Sequence, residues 1–298
     1  LLGKDDTLFV PSGVMGNQIA IRIHTRPGDE AVVAERSHIY HYEGAAPAAL
    51  WGVGLRPTGD MSGILSPEDV TSVVQGAHDW EARTSLVCLE NTVNKAGGVA
   101  VPLAATEPVA EVARRHGLAL HLDGARLWNA SVALGESTDT LAAPFDTANV
   151  CLSKGLGAPV GSVLAGSVTH IREGRRARKL LGGGMRQSGV LAAAALVALD
   201  DFQEDDHALV RRDHARARQL AETIEELPRL RLLRMPDTNI EMFDVDGETA
   251  VEAIEGLADD GVLMVPFGPQ TLRATTHRDL SDEDIALAQS SLARRYAT

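Results

Sequence analysis

Short apolar runs of four to six residues alternate, over the first two thirds of the chain, with longer segments whose apolar positions recur at helical spacing. That alternation is the mark of parallel βαβ units. Strands are predicted near Thr7 to Val10, Ala31 to Ala34, Val53 to Arg56, Ser85 to Leu89, Leu118 to Leu122, Asn149 to Leu152 and Ser162 to Leu164. Ser66 and Pro67 supply a cap and a first-turn proline for a helix reaching Gln75. Thr106-Glu-Pro-Val109 opens another, which Gly117 stops after His116. From Met185 to about Leu227 the pattern is that of two long helices. Strands at Leu230 to Leu233 and Asn239 to Asp244 follow, then a helix near Glu248 to Leu257, short strands at Val262 to Val265 and Thr271 to Ala274, and a last helix from Ser281. The closing set reads as βαβ-like. A large domain over 1–206, ending in the acidic stretch Glu204-Asp205-Asp206, and a small C-terminal α/β domain over 207–298 are therefore expected.

Composition narrows the class. No apolar run approaches the roughly 20 residues that a membrane-spanning helix needs, so no membrane partner is expected. A formal charge of −13 repels phosphate backbones, which argues against nucleic acid as a partner. Cys88 and Cys151 each sit inside an apolar, strand-like run and read as reduced core thiols, which suits a cytoplasmic protein. No metal site is expected. The chain lacks an initiator Met and begins in mid-pattern, as a fragment would.

Asp123-Gly-Ala-Arg126 closes the strand that ends at Leu122, which places a carboxylate at the carboxyl end of a parallel strand, where open α/β sheets gather ligands. Lys154 follows the strand ending at Leu152 in the same way, flanked by Gly155 and Gly157. An amine facing a carboxylate across an aromatic aldehyde is what pyridoxal-phosphate chemistry requires: the amine condenses with the aldehyde and the carboxylate keeps the ring nitrogen protonated. Taken singly, Asp-Gly is usually a turn and Ser-Lys-Gly a solvated loop. Val10-Pro-Ser-Gly-Val-Met-Gly-Asn17 adds a strand and a Gly-rich turn into a helix, suited to a phosphate. Lys179-Leu-Leu-Gly-Gly-Gly-Met-Arg-Gln187 joins three glycines to two cations, read either as a linker or as a phosphate contact by Arg186.

These segments, with Ser37-His-Ile-Tyr40, Glu90-Asn-Thr92, His121-Leu-Asp-Gly-Ala-Arg126, Pro159-Val-Gly-Ser162 and Arg273 to His277, occur in the order found in the low-specificity L-threonine aldolases, and the chain resembles that family almost from end to end. The resemblance implies a fold-type I architecture: a large domain with a mostly parallel seven-stranded sheet between helices, and a small C-terminal α/β domain. It implies pyridoxal phosphate, with Lys154 as the Schiff-base lysine, Asp123 as partner of the ring nitrogen and His38 stacked on the ring; for His38 a capping or core role is the alternative. The cofactor-binding set it implies is Ser12, Gly13, Val14, His38, Glu90, Asp123, Arg126, Ser153, Lys154 and Arg186, the last from a neighbouring subunit. Arg126 and Arg273 would hold the substrate, with Arg273 gripping its carboxylate bidentately. His121, two residues from Asp123, would support it from behind. The implied reaction is retro-aldol cleavage of L-threonine, L-allo-threonine or a related β-hydroxy amino acid to glycine and an aldehyde, by a homo-oligomer assembled as a dimer of dimers.

Three departures bear on that expectation. A further N-terminal stretch, including a Ser-Asp-Thr motif, usually precedes the position of Leu1 in the family. Val14 stands where Thr is common. Val93 stands where a histidine commonly contacts the substrate hydroxyl, and valine cannot accept a proton; if that histidine is the base, a rate loss of roughly 10²–10⁴ follows unless another group substitutes. Val93 is either a packing variant or a sign of altered chemistry. The alternatives are β-elimination or aldol transfer on a related amino acid, or a protein that binds the cofactor without turnover.

Overall fold

The computed structural model describes residues 1–204 and 206–298, so Asp205, in the acidic stretch expected to end the large domain, lies outside the described residues. The chain divides into two compact units, one of Leu1–Ala96 with Ala100–Glu204 and one of Gly97–Val99 with Asp205–Thr298.

In the first unit the elements run β1 (Asp6–Val10), α1 (Gly13–His24), β2 (Glu30–Ala34), α2 (His38–Tyr42), α3 (Ala46–Trp51), β3 (Gly54–Thr58), α4 (Pro67–Val73), β4 (Thr84–Glu90), α5 (Leu103–Arg115), β5 (Ala119–Gly124), α6 (Leu127–Leu134), α7 (Thr138–Ala142), β6 (Thr147–Cys151), β7 (Ser162–Gly166), α8 (Val168–Leu180) and α9 (Gly189–Glu204). Among the described residues they form a seven-stranded sheet in the order β1-β7-β6-β5-β4-β2-β3. Every neighbouring pair from β6 to β3 is parallel. Strand β7 alone is reversed, antiparallel to both β1 and β6, because the segment 152–161 before it is too short for the helical crossover that a parallel return needs.

The expected strands all form, with ends displaced by a few residues. The helix expected from Thr106 begins at Leu103 instead and carries Pro108 inside it. Pro102 is its N-cap, and the Thr106 hydroxyl bonds back to the Pro102 carbonyl at 3.4 Å.

Against the sheet, helix α1 packs chiefly on β6 and β7. Ile19 and Ala20 bury against Leu8, Val10, Leu164 and Ile171, each large apolar side chain contributing about 1.5–3 kcal/mol. Gly16 permits the approach: a Cβ there would lie 2.1 Å from Asn149 Oδ1 on β6.

The second unit contains α10 (Ala208–Glu226), β8 (Leu230–Leu232), β9 (Ile240–Val245), α11 (Ala250–Asp259), β10 (Val265–Pro266), β11 (Thr271–Thr275) and α12 (Asp282–Tyr296). Its sheet, β10-β11-β9-β8, is antiparallel throughout. The βαβ-like reading changes in detail: α11 joins β9 to β10, which run in one sense, but the strand expected over Val262 to Val265 shrinks to two residues and β11 inserts between the two strands, antiparallel to both. Phe243, Val245 and Leu272 from this sheet pack with Leu220, Ile224, Leu257, Leu292 and Tyr296 from the helices.

Candidate active site

Strand direction assembles the site. Strands β1, β6, β5, β4 and β2 all run in one sense, so their carboxyl ends share one edge of the sheet, the edge where such folds bind ligands. There the chain places Ser12 and Gly13 after β1, Lys154 after β6, Asp123 near the end of β5, Glu90 at the end of β4 and His38 shortly after β2. Lys154 is exposed, and its amine has no hydrogen-bond partner among the described residues. Asp123 is 2% exposed. Register sets Glu90 beside Asp123 and Asp123 beside Asn149 on adjacent strands.

Asp123 accepts the Ala125 N–H on Oδ1 at 3.2 Å and the Asn17 amide on Oδ2 at 2.9 Å. The same Asn17 nitrogen donates to Glu43 Oε1 at 2.8 Å. Both acceptors are carboxylates, which fixes the amide with its NH₂ toward them and Oδ1 toward Asn149 Nδ2, at 2.8 Å, and His121 Nε2, at 3.2 Å. His121 therefore carries its proton on Nε2, and Nδ1 accepts from the Thr147 hydroxyl at 2.9 Å. Burial, then the neighbouring His24, lowers the His121 pKa to about 3, so the ring is neutral.

Glu90 accepts the backbone N–H of His38 on Oε2 at 2.8 Å and that of Asn94 on Oε1 at 3.0 Å. Burial first, and then the Asp123 carboxylate, raise its pKa to about 7. Arg126 Nη1 reaches Asn94 Oδ1 at 3.3 Å, which ties that guanidinium to the same cluster. His38 donates from Nδ1 to Glu43 Oε1 at 3.0 Å and lies 5.4 Å from the Tyr42 ring. Burial alone would depress the imidazole; the Glu43 hydrogen bond, with the charges of Asp123, Glu43 and Glu90, leaves its pKa raised. His38, Glu43 and Asp123 each offer an atom within a 4.8 Å circle, a grouping that their hydrogen bonds through Asn17 and Nδ1 account for.

At the end of β1 the Ser12 hydroxyl caps α1 by accepting the Met15 N–H at 3.2 Å, and the first-turn N–H groups of Gly13 and Val14 have no intrahelical acceptor. The residues fit pyridoxal phosphate. Asp123 retains lone pairs for a ring N–H, and α1 offers amide donors for a phosphate. Gly155 keeps the Lys154 loop close to the protein, since a Cβ there would meet Asn129 Oδ1 at 2.5 Å.

The structure thus brings together His38, Glu90, Asp123 and Arg126, with Ser12, Gly13, Val14 and Lys154 along the same edge. Ser153 is exposed beside Lys154. Arg186 is exposed between α8 and α9, and no hydrogen bond or ion pair among the described residues joins it to the cluster. Arg273 lies on β11 of the second unit, with its guanidinium 4.8 Å from the Phe267 ring centroid. Val93 is fully buried, and a Cβ on Gly63 would come within 2.6 Å of it.

Sequence reasoning passed over Glu43, Gln18, Asn94 and Asn149, and it used Asn17 only as part of a motif. Buried amides and carboxylates in apolar surroundings are the available signal, since each demands a partner.

The fold matches solved structures at low identity. The threonine aldolase of Leishmania major superposes with a TM-score of 0.82 at 20% identity, covering 97% of this chain and 84% of that one. A serine palmitoyltransferase of Sphingomonas wittichii superposes with 0.75 at 18% identity, covering 98% and 73%. Strand order and superposition together define an α/β protein of the fold-type I architecture. The beta-eliminating lyase family model matches residues 1–248. Low-specificity L-threonine aldolase 1 of Arabidopsis thaliana is 38% identical over 306 residues, covering 100% of this chain and 84% of the relative. The low specificity L-threonine aldolase of Escherichia coli K12 is 36% identical over 287 residues, covering 96% and 83%. The chain belongs to the beta-eliminating lyase family, among the low-specificity L-threonine aldolases.

Proposed function

We propose that the protein is a pyridoxal-phosphate-dependent lyase that cleaves L-threonine, L-allo-threonine or a related L-β-hydroxy-α-amino acid to glycine and an aldehyde. The observation that carries this reading is the placement of Lys154 after β6, of the buried Asp123 near the end of β5 and of the α1 N-terminus after β1 along one sheet edge, in a chain whose relatives bear that activity in their names. When bound, pyridoxal phosphate supplies an aldehyde for amine capture and a protonated ring that takes up the electrons of the breaking Cα–Cβ bond.

The protein's own residues do the rest. Lys154 is the residue whose amine would hold the cofactor covalently. Asp123, oriented by Asn17 and the Ala125 N–H, keeps the ring nitrogen protonated. Gly13 and Val14 donate N–H groups to the phosphate, with the Ser12 hydroxyl engaged as the cap and Ser153 alongside. His38 would cover the ring, and Glu90 holds the His38 backbone. Arg126 serves cofactor and substrate, and Arg273 grips the substrate carboxylate. The β-hydroxyl proton would pass to a basic side chain or water at the site as the carbon–carbon bond breaks, and a proton returned to Cα would complete glycine.

Arg186 is proposed to reach the phosphate of a neighbouring copy in a homo-oligomer, a dimer of dimers. Exposed apolar side chains on α8 and α9, the helices before and after it in the chain, support association: Val190 is 81% exposed, Leu180 76%, and Leu196 and Val197 60% each. A cytoplasmic location is proposed from Cys88 and Cys151, both buried and free. No helix among the described residues is long and apolar enough to cross a membrane.

Release of acetaldehyde and glycine from L-threonine, abolished in Lys154→Ala, is the expected result; a cofactor-loaded protein that releases no aldehyde from any β-hydroxy amino acid refutes the reading. Val93 favours one second reading, β-elimination, for which 2-oxobutyrate and ammonia are the products to measure.

A further inference from the structure

We infer that Glu43 is the positioning residue for His38, holding its imidazole as the Nδ1–H tautomer so that Nε2 is the ring's proton-accepting atom. The inference rests on the reading of this edge as the cofactor site and assigns a part to a carboxylate outside the expected site set.

Glu43 has no exposed side-chain surface, and three donors converge on it: Asn17 Nδ2 on Oε1 at 2.8 Å, Gln18 Nε2 on Oε2 at 2.6 Å and His38 Nδ1 on Oε1 at 3.0 Å. Amide NH₂ groups only donate. Asn17 cannot turn its oxygen to Glu43, because the same atom position faces Asp123 Oδ2 at 2.9 Å and its own Oδ1 already accepts from Asn149 and His121. A buried carboxyl met by two fixed donors is an acceptor, so the proton between Glu43 and His38 belongs to Nδ1. Nε2 then bears the lone pair, and it has no partner among the described residues on a side chain that is 25% exposed.

The groups facing the ring are acidic from each neighbouring element. Glu43 follows α2, Asp123 lies on β5 and Glu90 on β4, while the Tyr42 ring lies 5.4 Å away. The arrangement has the geometry of an oriented base: a ring nitrogen free to take a proton, and a carboxylate on the opposite nitrogen that fixes the ring plane and stabilises the cation formed. Its consequence for the proposed cleavage is that the site presents a proton-accepting imidazole nitrogen although Val93 offers none. Asn17 extends the effect, since one amide steadies both Glu43 and Asp123 and thereby links the carboxylate assigned to the cofactor nitrogen with the one that orients His38.

The test is ¹H–¹⁵N spectroscopy of the histidine rings in the cofactor-loaded protein, with the His38 signals assigned by their loss in His38→Asn. Wild type is expected to show His38 as the Nδ1–H tautomer at high pH; an Nε2–H tautomer overturns the inference, with no variant required. Glu43→Gln keeps the shape, removes the charge and leaves one oxygen for three donors, so the His38 titration midpoint is expected to move down; an unchanged midpoint also overturns it. In the same variant kcat should fall by up to about 100-fold, the scale of a displaced catalytic group. The spectra report on His38 whether or not the protein turns over, so an inactive protein with the Nδ1–H tautomer refutes the proposed cleavage and leaves this assignment standing.

Discussion

Glu241 is fully buried on β9, and neither of its carboxylate oxygens has a partner among the described residues. Alternation along the strand turns it to the same face as Phe243 and Val245, which pack against the helices of the second unit. Burial raises its pKa well above 4.5, so the folded protein holds it neutral. In the unfolded chain it ionises near the ordinary value. Between that value and its raised folded value the unfolded state binds fewer protons than the folded state, so stability is lost as pH rises, at a limiting rate of about 1.4 kcal/mol per pH unit. Glu241→Gln abolishes the ionisation and Glu241→Leu also abolishes the unsatisfied polar atoms, which cost about 1–3 kcal/mol when buried. Urea denaturation of wild type and both variants, followed by circular dichroism at pH values between about 5 and 8, isolates the effect. The wild-type midpoint should fall relative to that of Glu241→Gln as pH rises, and Glu241→Leu should be the most stable at the upper end. Parallel pH dependences in wild type and Glu241→Gln would refute the reasoning.

Other perturbations act at the first unit's site. Gly16→Ala would drive a Cβ to 2.1 Å from Asn149 Oδ1 and should destabilise the protein by about 1–3 kcal/mol, read as a lower thermal midpoint together with a weaker visible cofactor band. Val93→His places a larger side chain in a fully buried position against Gly63; a loss of about 1–3 kcal/mol is expected, with less than a tenfold rise in the rate of aldehyde release, and a larger rise would show that the ring reaches the substrate. His121→Phe removes the Nε2–H that Asn17 Oδ1 accepts and the Nδ1 acceptor of Thr147, leaving buried polar groups unpaired at about 1–3 kcal/mol; chemical denaturation measures it, and an unchanged midpoint would count against the assigned tautomer.

The strand-by-strand order of the first unit was legible because each buried parallel strand is a continuous apolar run, a purely local signal. Asp123, Lys154 and the Ser12–Val14 turn were legible for the same reason: each directly follows or closes such a run. The reversal of β7 was not, since strand sense depends on whether 152–161 can make a crossover rather than on the composition of Ser162–Gly166. In the second unit the helix α11 does join two strands of one sense, β9 and β10, but the insertion of β11 between them, antiparallel to both, is a long-range pairing that the local pattern does not show.

Local pattern, then, determined where strands and helices lie and which residues stand at strand ends, because burial period and chain punctuation are written in neighbouring residues. Only the tertiary structure decided what those residues touch. Asn17 meets Asp123 across 106 positions of sequence and Asn149 across 132, and Glu43, a near neighbour of His38 in the chain, gains its other two donors only where α1 brings Asn17 and Gln18 against it. Hydrogen-bond pairing is set by distance in space, and the packing of Gly16 on β6 brings those distances within reach.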